Sequence, residues 1–237
     1  MALLSVEEAL TRIVAGAQPI AAETIALADA AGRVLADDVA ARLTQPPFNA
    51  SAMDGYAARA ADVARLPATL QLIGESAAGH AFIGPIAAGQ TVRIFTGAPV
   101  PEGADAIVIQ ENTKADGKAI HVVEGQPDPD HIRPRGGDFQ TGVVKLRAGT
   151  RLNSRDILLA AAMGHDRLAV RRRPRVAILA TGDELVAPGE TPRPDQIVSS
   201  NPYGLAAMLR GYGAEPVLLG IARDTLASLS SHIAAAE

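Results

Sequence analysis

The chain has 237 residues, of which 48% are hydrophobic and 20% charged, and its formal net charge is −4. These values are typical of a globular protein with one large domain or two small ones, and they exclude disordered, collagen-like and coiled-coil classes. The acidic balance argues against binding of nucleic acid or of an anionic membrane through a basic surface. The chain has no cysteine, and its five histidines have no HxxxH or HExxH spacing, so oxygen-bound magnesium is the metal that we expect.

The N-terminus lacks the features of a signal peptide. Glu7 and Glu8 stand where such a peptide needs a basic region. No apolar stretch approaches the roughly 18 residues of a membrane-spanning helix. We therefore expect a cytoplasmic protein without a membrane or nucleic-acid partner.

The N-terminal part of the chain predicts a helix followed by short strands. Ser5 and Glu8 have the spacing of a capping box, and apolar residues then recur at helical intervals to about Ala15. Residues 24–39 predict a strand, a helical turn and a second strand, which leads to a pair of prolines.

A change of composition follows these prolines. From residue 68 to residue 132, short β-branched runs are broken by glycine, proline and aspartate. They predict a small β-rich module with strands at about 69–73, 91–95, 106–109 and 119–123, and with Asp116-Gly117 as a hairpin turn.

The last part of the chain predicts the beginning of an α/β domain. Extended residues 143–152 and a helix at 156–163 precede the basic stretch 171–173, which we interpret as an exposed linker. A strand at 175–181, a helix at 202–212, a strand at 215–221 and a helix from Thr225 then give the order β–α–β–α of an open parallel sheet. Such sheets usually have four or more strands, so we expect this domain to be incomplete, with Val176, Ile178, Val217 and Leu219 short of packing partners.

The predicted fold is mixed α/β and multidomain. A helical and β first domain at residues 1–45 and 141–172 carries an inserted small β-rich module at residues 46–140. Residues 173–237 then begin a truncated three-layer, doubly wound α/β domain.

The first segment that could carry chemistry is Asn-Ala-Ser-Ala-Met-Asp-Gly-Tyr at residues 49–56. Asp54-Gly55 suits a tight turn that presents a carboxylate, flanked by the hydroxyl groups of Ser51 and Tyr56. A structural turn whose aspartate binds backbone amides is the alternative, which composition alone favours.

The second segment is Phe-Thr-Gly-Ala at residues 95–98, at the end of a predicted strand. Thr96 and Gly97 can place a hydroxyl and a backbone N–H beside a ligand, because glycine lets another group approach the chain closely. An ordinary loop is the alternative reading.

The third segment is Arg-Pro-Arg-Gly-Gly-Asp at residues 133–138. Arginine suits bidentate recognition of phosphate, and a Gly-Gly bend permits a close backbone approach. Alternatively, Arg135 and Asp138 pair with each other, and the sequence favours neither interpretation.

The fourth segment is Thr-Gly-Asp-Glu at residues 181–184, which follows the first strand of the predicted α/β unit. Open α/β sheets bind ligands at this edge. The adjacent carboxylates of Asp183 and Glu184 repel each other unless a cation lies between them or they face apart. Ser199, Ser200 and Asn201 add hydroxyls and a helix N-terminus that suits an oxyanion, although Asn201 alone could be an ordinary helix cap.

In this order, the four segments resemble the molybdopterin molybdenumtransferase family, the MoeA-type proteins to which gephyrin is a fused relative. The resemblance covers essentially the whole chain, as the N-terminal and partial central portion of a longer family protein. It is carried by residues 51–56, Thr96-Gly97 with 103–105, residues 135–138, and residues 181–185 followed by Ser200-Asn201.

The resemblance implies a transferase that performs the last step of molybdenum cofactor synthesis. Molybdate would be inserted into adenylylated molybdopterin and AMP released, with Mg²⁺ as cofactor. It also implies molybdopterin adenylyltransferase as the upstream partner in the pathway. The family's glycine-rich and lysine-bearing molybdate segment and its final β domain would follow Glu237.

Site residues follow from the resemblance position by position. We expect Asp54 and Glu184 to be the most sensitive positions. The implied catalytic residues are Asp54, Asp138 and Glu184, and the implied metal ligands are Asp54, Asp183 and Glu184. The implied substrate-binding residues are Ser51, Thr96, Gly97, Arg135, Thr181, Gly182, Asp183, Ser200 and Asn201.

Family members are elongated homodimers, and the resemblance implies that each cleft is assembled from two subunits. The competing hypothesis is a dimerisation or scaffold module of the same fold without catalysis. Such a module has no need for carboxylates at Asp54, Asp138 and Glu184, so these motifs favour the transferase. A third candidate, the adenylyltransferase with a related α/β domain, offers no place for residues 1–170.

Overall fold

The computed structural model describes residues 4–236, so residues 1–3 and Glu237 lie outside the described residues. Within that range the chain forms four α-helices: α1 Val6–Ala15, α2 Ser154–Ala162, α3 Asn201–Gly211 and α4 Leu226–Ala234. None of the helices in residues 4–236 combines the length and apolar character that crossing a lipid bilayer requires.

Sixteen strands accompany the helices in residues 4–236. They are β1 Ala22–Ala26, β2 Val39–Ala40, β3 Ala50–Ser51, β4 Gly55–Ala58, β5 Ala68–Ser76, β6 Gln90–Ile94, β7 Ala106–Ile109, β8 Thr113–Asp116, β9 Ala119–Val122, β10 Ile132–Arg133, β11 Val144–Leu146, β12 Arg167–Arg171, β13 Arg175–Thr181, β14 Leu185–Val186, β15 Ile197–Val198 and β16 Glu215–Ala222. The predicted mixed α/β class is confirmed.

The chain divides into two compact units. The α/β unit contains Met1–Asp38, Arg147–Leu158 and Asp166–Glu237, and the β unit contains Val39–Leu146 and Leu159–His165. The first three candidate segments belong to the β unit, and the fourth belongs to the α/β unit.

A six-stranded sheet with the order β7-β4-β6-β5-β9-β8 forms the centre of the β unit. The predicted hairpin at Asp116-Gly117 is confirmed, because β8 and β9 pair antiparallel and Gly117 has a φ of 58°. Ala57, Ile94 and Ile107 are buried on neighbouring strands and form part of the core.

Strand β4 was not expected from the sequence, and it replaces the end of the predicted turn at residues 49–56. This strand runs between β6 and β7 and is buried along its whole length. Gly55 is required there, since a Cβ would overlap the carbonyl oxygen of Val108 on β7. Small residues and close strand neighbours therefore define this strand rather than β-branched composition.

In the α/β unit, β13 pairs parallel with β16, and α3 packs against both strands. The predicted order β–α–β–α is confirmed by β13, α3, β16 and α4. Of the four apolar residues expected to lack packing partners, Ile178 is buried, so the expectation is wrong for it, whereas Val176, Val217 and Leu219 are half-buried. The register pairs Ile178 with Leu218 and Ala177 with Val217, so these four residues do not share one face.

The rest of the α/β unit is built on the antiparallel pair β1–β12, with Leu35, Leu168 and Val170 buried. The predicted first helix is confirmed as α1, which begins at Val6 and is capped by Ser5, whose Oγ accepts the Glu8 amide at 3.1 Å.

Candidate active site

Asp54 and Thr96 form the best-defined polar pair among the expected site residues. Asp54 Oδ1 accepts hydrogen bonds from the Thr96 backbone amide and from Thr96 Oγ1, each at 2.8 Å. These bonds, the amide first and the hydroxyl second, lower the pKa of Asp54 below its ordinary value, and the charge of Arg93 adds to the effect. An exposed carboxylate is thus held ionised and in one orientation.

The backbone around this pair is fixed by Ser51. The Ser51 amide donates to the Ala98 carbonyl at 2.9 Å, and the Ser51 carbonyl accepts the Gly97 amide at 2.8 Å. The Ser51 hydroxyl is buried and donates to the Met53 carbonyl at 2.6 Å. Ser51 and Gly97 therefore join the first and second segments into one local structure.

The third segment lies beside the first because β10 pairs antiparallel with β3. Its ion pair joins Arg133, not Arg135, to Asp138, with Nη2 3.0 Å from Oδ1. The expected alternative of an Arg135–Asp138 pair is thus wrong, because Arg133 Nη2 donates to both oxygens of the Asp138 carboxylate. The Arg135 backbone amide instead donates to Asn49 Oδ1 at 2.9 Å.

Arg135 lies at an open depression of about 260 Å³ that Thr44, Gln140 and Thr141 also line. The Arg135 side chain is exposed, so its guanidinium is available to an anion at this surface. Asn49 and Arg133 lay within the candidate segments but were given no site role, because a single asparagine and the first of two arginines gave no separate signal.

In the α/β unit, the fourth segment turns sharply at the end of β13. Gly182 has a φ of 149°, and the Glu184 carboxylate folds back over it so closely that a Cβ on Gly182 would overlap it. The Gly182 amide donates to the Ala222 carbonyl at 3.1 Å, and Arg223 Nη1 donates to the Asp183 carbonyl at 3.1 Å. Backbone contacts thus fix the turn and leave both carboxylates exposed.

Ser200 and Asn201 lie near Thr181 because the short strands β14 and β15 pair parallel. A depression of about 400 Å³ is lined by residues of this region that include Thr181, Leu185, Ser199, Ser200 and Asn201. Helix α3 begins at Asn201, preceded by Ser200, whose side chain makes no capping hydrogen bond. The Ser200 hydroxyl and the helix N-terminus are therefore available to an oxyanion.

The donor set for magnesium consists of carboxylates. No group of three or more His, Asp or Glu residues in the described part of the chain is arranged to hold a metal ion. Mg²⁺ is usually held by one or two carboxylates together with water and substrate phosphates. The Asp183 and Glu184 carboxylates are exposed, and they are the type of donor that such an ion takes.

The chain is similar to known proteins over most of its length. A family model described as the MoeA N-terminal region, domains I and II, matches residues 4–164. The chain belongs to this family. The match includes the Asp54, Thr96 and Asp138 positions, and it ends before the fourth segment.

Curated relatives extend the similarity beyond residue 164. A molybdopterin molybdenumtransferase of a Nostoc species is 40% identical over 218 residues, which cover 90% of this chain and 50% of that protein. Molybdopterin molybdenumtransferase 1 of Mycobacterium tuberculosis is 35% identical over 236 residues, which cover 92% of this chain and 55% of that protein. The chain thus spans about half the length of the curated relatives that it matches.

Solved structures show the same fold. A molybdopterin biosynthesis MoeA protein of Pyrococcus horikoshii superimposes with a TM-score of 0.91 at 31% identity, over 99% of this chain and 64% of that one. A second structure of that protein gives a TM-score of 0.86 at 30% identity, over 99% and 61% of the two chains.

Proposed function

We propose that the chain acts in molybdenum cofactor biosynthesis as the N-terminal part of a molybdopterin molybdenumtransferase. The names of the relatives from Nostoc and Mycobacterium tuberculosis support this transferase activity. The reaction is the insertion of molybdate into adenylylated molybdopterin with release of AMP.

The ionised Asp54 held by Thr96 is the observation that carries the proposal. A carboxylate in a fixed orientation can act on a substrate without reorganising first, which is how preorganised groups lower a barrier. Asp138, which is held by its ion pair with Arg133, is a further catalytic carboxylate of the β unit. Arg135 binds the anionic substrate there through its guanidinium, and Thr96, whose amide and hydroxyl both donate to Asp54, orients that carboxylate.

Asp183 and Glu184 of the α/β unit would hold Mg²⁺ together with a phosphate group of the substrate, and Asp54 from the β unit of a second copy would be a further ligand. Magnesium supplies charge neutralisation at the phosphoanhydride. Thr181, Gly182, Ser200 and Asn201 orient the nucleotide or the pterin through hydroxyls and backbone amides. Exposure of the Asp183 and Glu184 carboxylates supports this role.

We further propose a cytoplasmic homodimer that receives its substrate from molybdopterin adenylyltransferase. In this arrangement Asp54 and Thr96 of one copy act together with Asp183 and Glu184 of the second copy. The dimer therefore contains the site twice, as a two-fold interface requires.

A complementation experiment tests the proposal. The complete gene that contains this sequence is expressed in a bacterial strain that lacks its molybdopterin molybdenumtransferase, and the activity of a molybdenum-dependent enzyme is measured. We expect restored activity from the wild-type gene and none from an Asp54→Asn, Glu184→Gln double variant of equal abundance. A wild-type gene that restores nothing, or a double variant that restores everything, would overturn the proposal.

A further inference from the structure

Arg93 lies on β6, three residues before Thr96, and its side chain is half-buried between two aromatic rings. Its guanidinium carbon is 5.0 Å from the centroid of Tyr56 and 4.9 Å from the centroid of Phe95. Tyr56 is the partner of Arg93 across the β4–β6 pair. The Tyr56 ring on β4 and the Phe95 ring directly after β6 therefore confine the guanidinium to one place.

Two hydrogen bonds direct this guanidinium toward the Asp54 turn. Nη1 donates to the Gly55 carbonyl at 3.3 Å, and Nη2 donates to Gln110 Oε1 at 2.6 Å. The Gln110 amide in turn donates to the Asp54 carbonyl at 3.1 Å. Arg93 thus binds the residue that follows Asp54 and also the residue that binds the Asp54 carbonyl.

The neighbouring acidic residues do not account for this arrangement. Glu75 is the register partner of Arg93 on β5, yet no ion pair joins them within residues 4–236. Glu111 accepts from Gln110 Nε2 at 3.4 Å instead. The Arg93 guanidinium binds a carbonyl oxygen and an amide oxygen although a carboxylate is adjacent. It therefore acts as a fixed fork, a two-pronged donor, rather than as the partner of the nearest negative charge.

We propose that Arg93 is the positioning residue of the Asp54–Thr96 pair, because its fork ties the Asp54 turn to the strand that leads into Thr96. Arg93 acts through Asp54 and does not itself contact substrate. The inference rests on the proposed function only in naming the reaction in which the Asp54–Thr96 pair takes part. The geometry itself can be tested without any substrate.

The test compares amide hydrogen exchange of Thr96 and the pKa of Asp54, both by NMR, in the wild-type chain and in Arg93→Met and Arg93→Lys. Arg93→Met keeps the length and apolar packing of the side chain but removes the charge and the fork. Arg93→Lys keeps the charge but cannot form both hydrogen bonds at once. Val122→Ala on β9 is the control for general destabilisation of the β unit, and Glu75→Gln is the control for loss of a nearby charge.

We expect Arg93→Met to speed exchange of the Thr96 amide about five- to tenfold, the effect of losing one hydrogen bond, and to move the pKa of Asp54 toward its ordinary value. Arg93→Lys should speed exchange of the Thr96 amide about as much as Arg93→Met does, but it should change the Asp54 pKa less. Both controls should leave the exchange rate of the Thr96 amide within about twofold of the wild-type rate, and they should leave the Asp54 pKa at its wild-type value. If Arg93→Met does not fold, Gln110→Ala, which removes one acceptor of the fork, must show the same faster exchange.

Unchanged Thr96 exchange and an unchanged Asp54 pKa in the Arg93 variants would overturn the inference. Equal changes in Val122→Ala would also overturn it, because the effect would then be one of overall stability. A positive result combined with a failed complementation experiment would reject the proposed function and leave the positioning role intact.

Discussion

The carboxylates of the β unit and those of the α/β unit are held in different ways. Asp54 accepts two hydrogen bonds from Thr96 through one oxygen, and Asp138 is paired with Arg133. Among residues 4–236, the Asp183 and Glu184 carboxylates accept no hydrogen bond and form no ion pair, although backbone bonds fix the turn that carries them. The fold orients the first group by itself, and it leaves the second group open to a ligand.

This difference is consistent with a division of work. A group that must hold one orientation in the reaction gains from fixed donors. A group that binds a cation shared with phosphate must instead exchange water for the incoming ligand, so free carboxylate oxygens are useful there. Four experiments can break or sharpen the comparison.

The largest expected effect comes from neutralising a carboxylate in either unit. In the complete enzyme, Asp54→Asn and Glu184→Gln should each lower the rate of molybdate insertion about tenfold or more, since each keeps the shape and removes the charge. The rate is measured with purified protein, molybdate and adenylylated molybdopterin. Asp62→Asn in the β unit and Glu190→Gln in the α/β unit are matched controls that should retain activity, and equal losses in these controls would contradict the prediction.

Mixing of inactive subunits tests whether residues of both units serve one cleft in trans. Full-length Asp54→Asn and Glu184→Gln proteins are combined and allowed to exchange subunits. Random exchange gives heterodimers with one intact and one doubly altered cleft, so about a quarter of wild-type activity should return. A mixture that stays inactive after subunit exchange has been verified would exclude the trans arrangement.

The sequence identified the α/β turn more completely than the site of the β unit. A run of mostly apolar residues predicted the limits of β13, Arg175–Thr181. The Gly-Asp-Glu turn that follows it predicted the positions of Asp183 and Glu184. The β4 strand was missed because Gly-Tyr-Ala-Ala has little intrinsic preference for a strand and is defined by its neighbours β6 and β7.

The positions of Asp54 and Thr96 were identified from motifs, but their contact depends on pairing between residues 42 positions apart. Arg93 illustrates the same limit. Its place three residues before Thr96 was visible in the sequence, while its contacts with Gly55 and Gln110 arise only from the strand order of the sheet.

A smaller effect is expected from filling the space under Glu184. Gly182→Ala places a Cβ where the Glu184 carboxylate lies and also strains a positive φ. Gly189→Ala strains a positive φ of 94° but meets no atom within 4 Å, so it is the matched control. Both variants should lose about 1–3 kcal/mol of stability in urea unfolding. Only Gly182→Ala should also lower molybdate insertion in the complete enzyme, and equal rates in the two variants would show that the folded-back Glu184 carboxylate is unimportant.

The smallest effect concerns the pKa of Asp54. Thr96→Val removes the hydroxyl donor and keeps the amide donor, which is the larger cause of the lowered pKa, so the pKa should rise only part of the way to its ordinary value. Thr96→Ser should leave it low. Asp38, whose pKa is lowered by the Ala148 amide and the Arg147 side chain, is an internal control that should not change.

The sign of the stability change follows from linkage. A carboxyl whose pKa is lower in the folded state stabilises the fold above its unfolded pKa of about 3.9, and this contribution is lost as pH falls through the folded pKa. The deficit of Thr96→Val relative to wild type should therefore be present at neutral pH and shrink in acid. A deficit that grows as pH falls would contradict the assignment.

Direct detection of the hydrogen bond between the Thr96 amide and the Asp54 carboxylate is the most direct test of the central claim, that the fold itself orients Asp54 before substrate binds. The measurement is the NMR scalar coupling between the Thr96 amide nitrogen and the Asp54 carboxyl carbon in the ligand-free chain. We predict an observable coupling at neutral pH that disappears when Asp54 is protonated. A Thr96 amide that shows no coupling and exchanges at the rate of an unprotected amide would contradict the account.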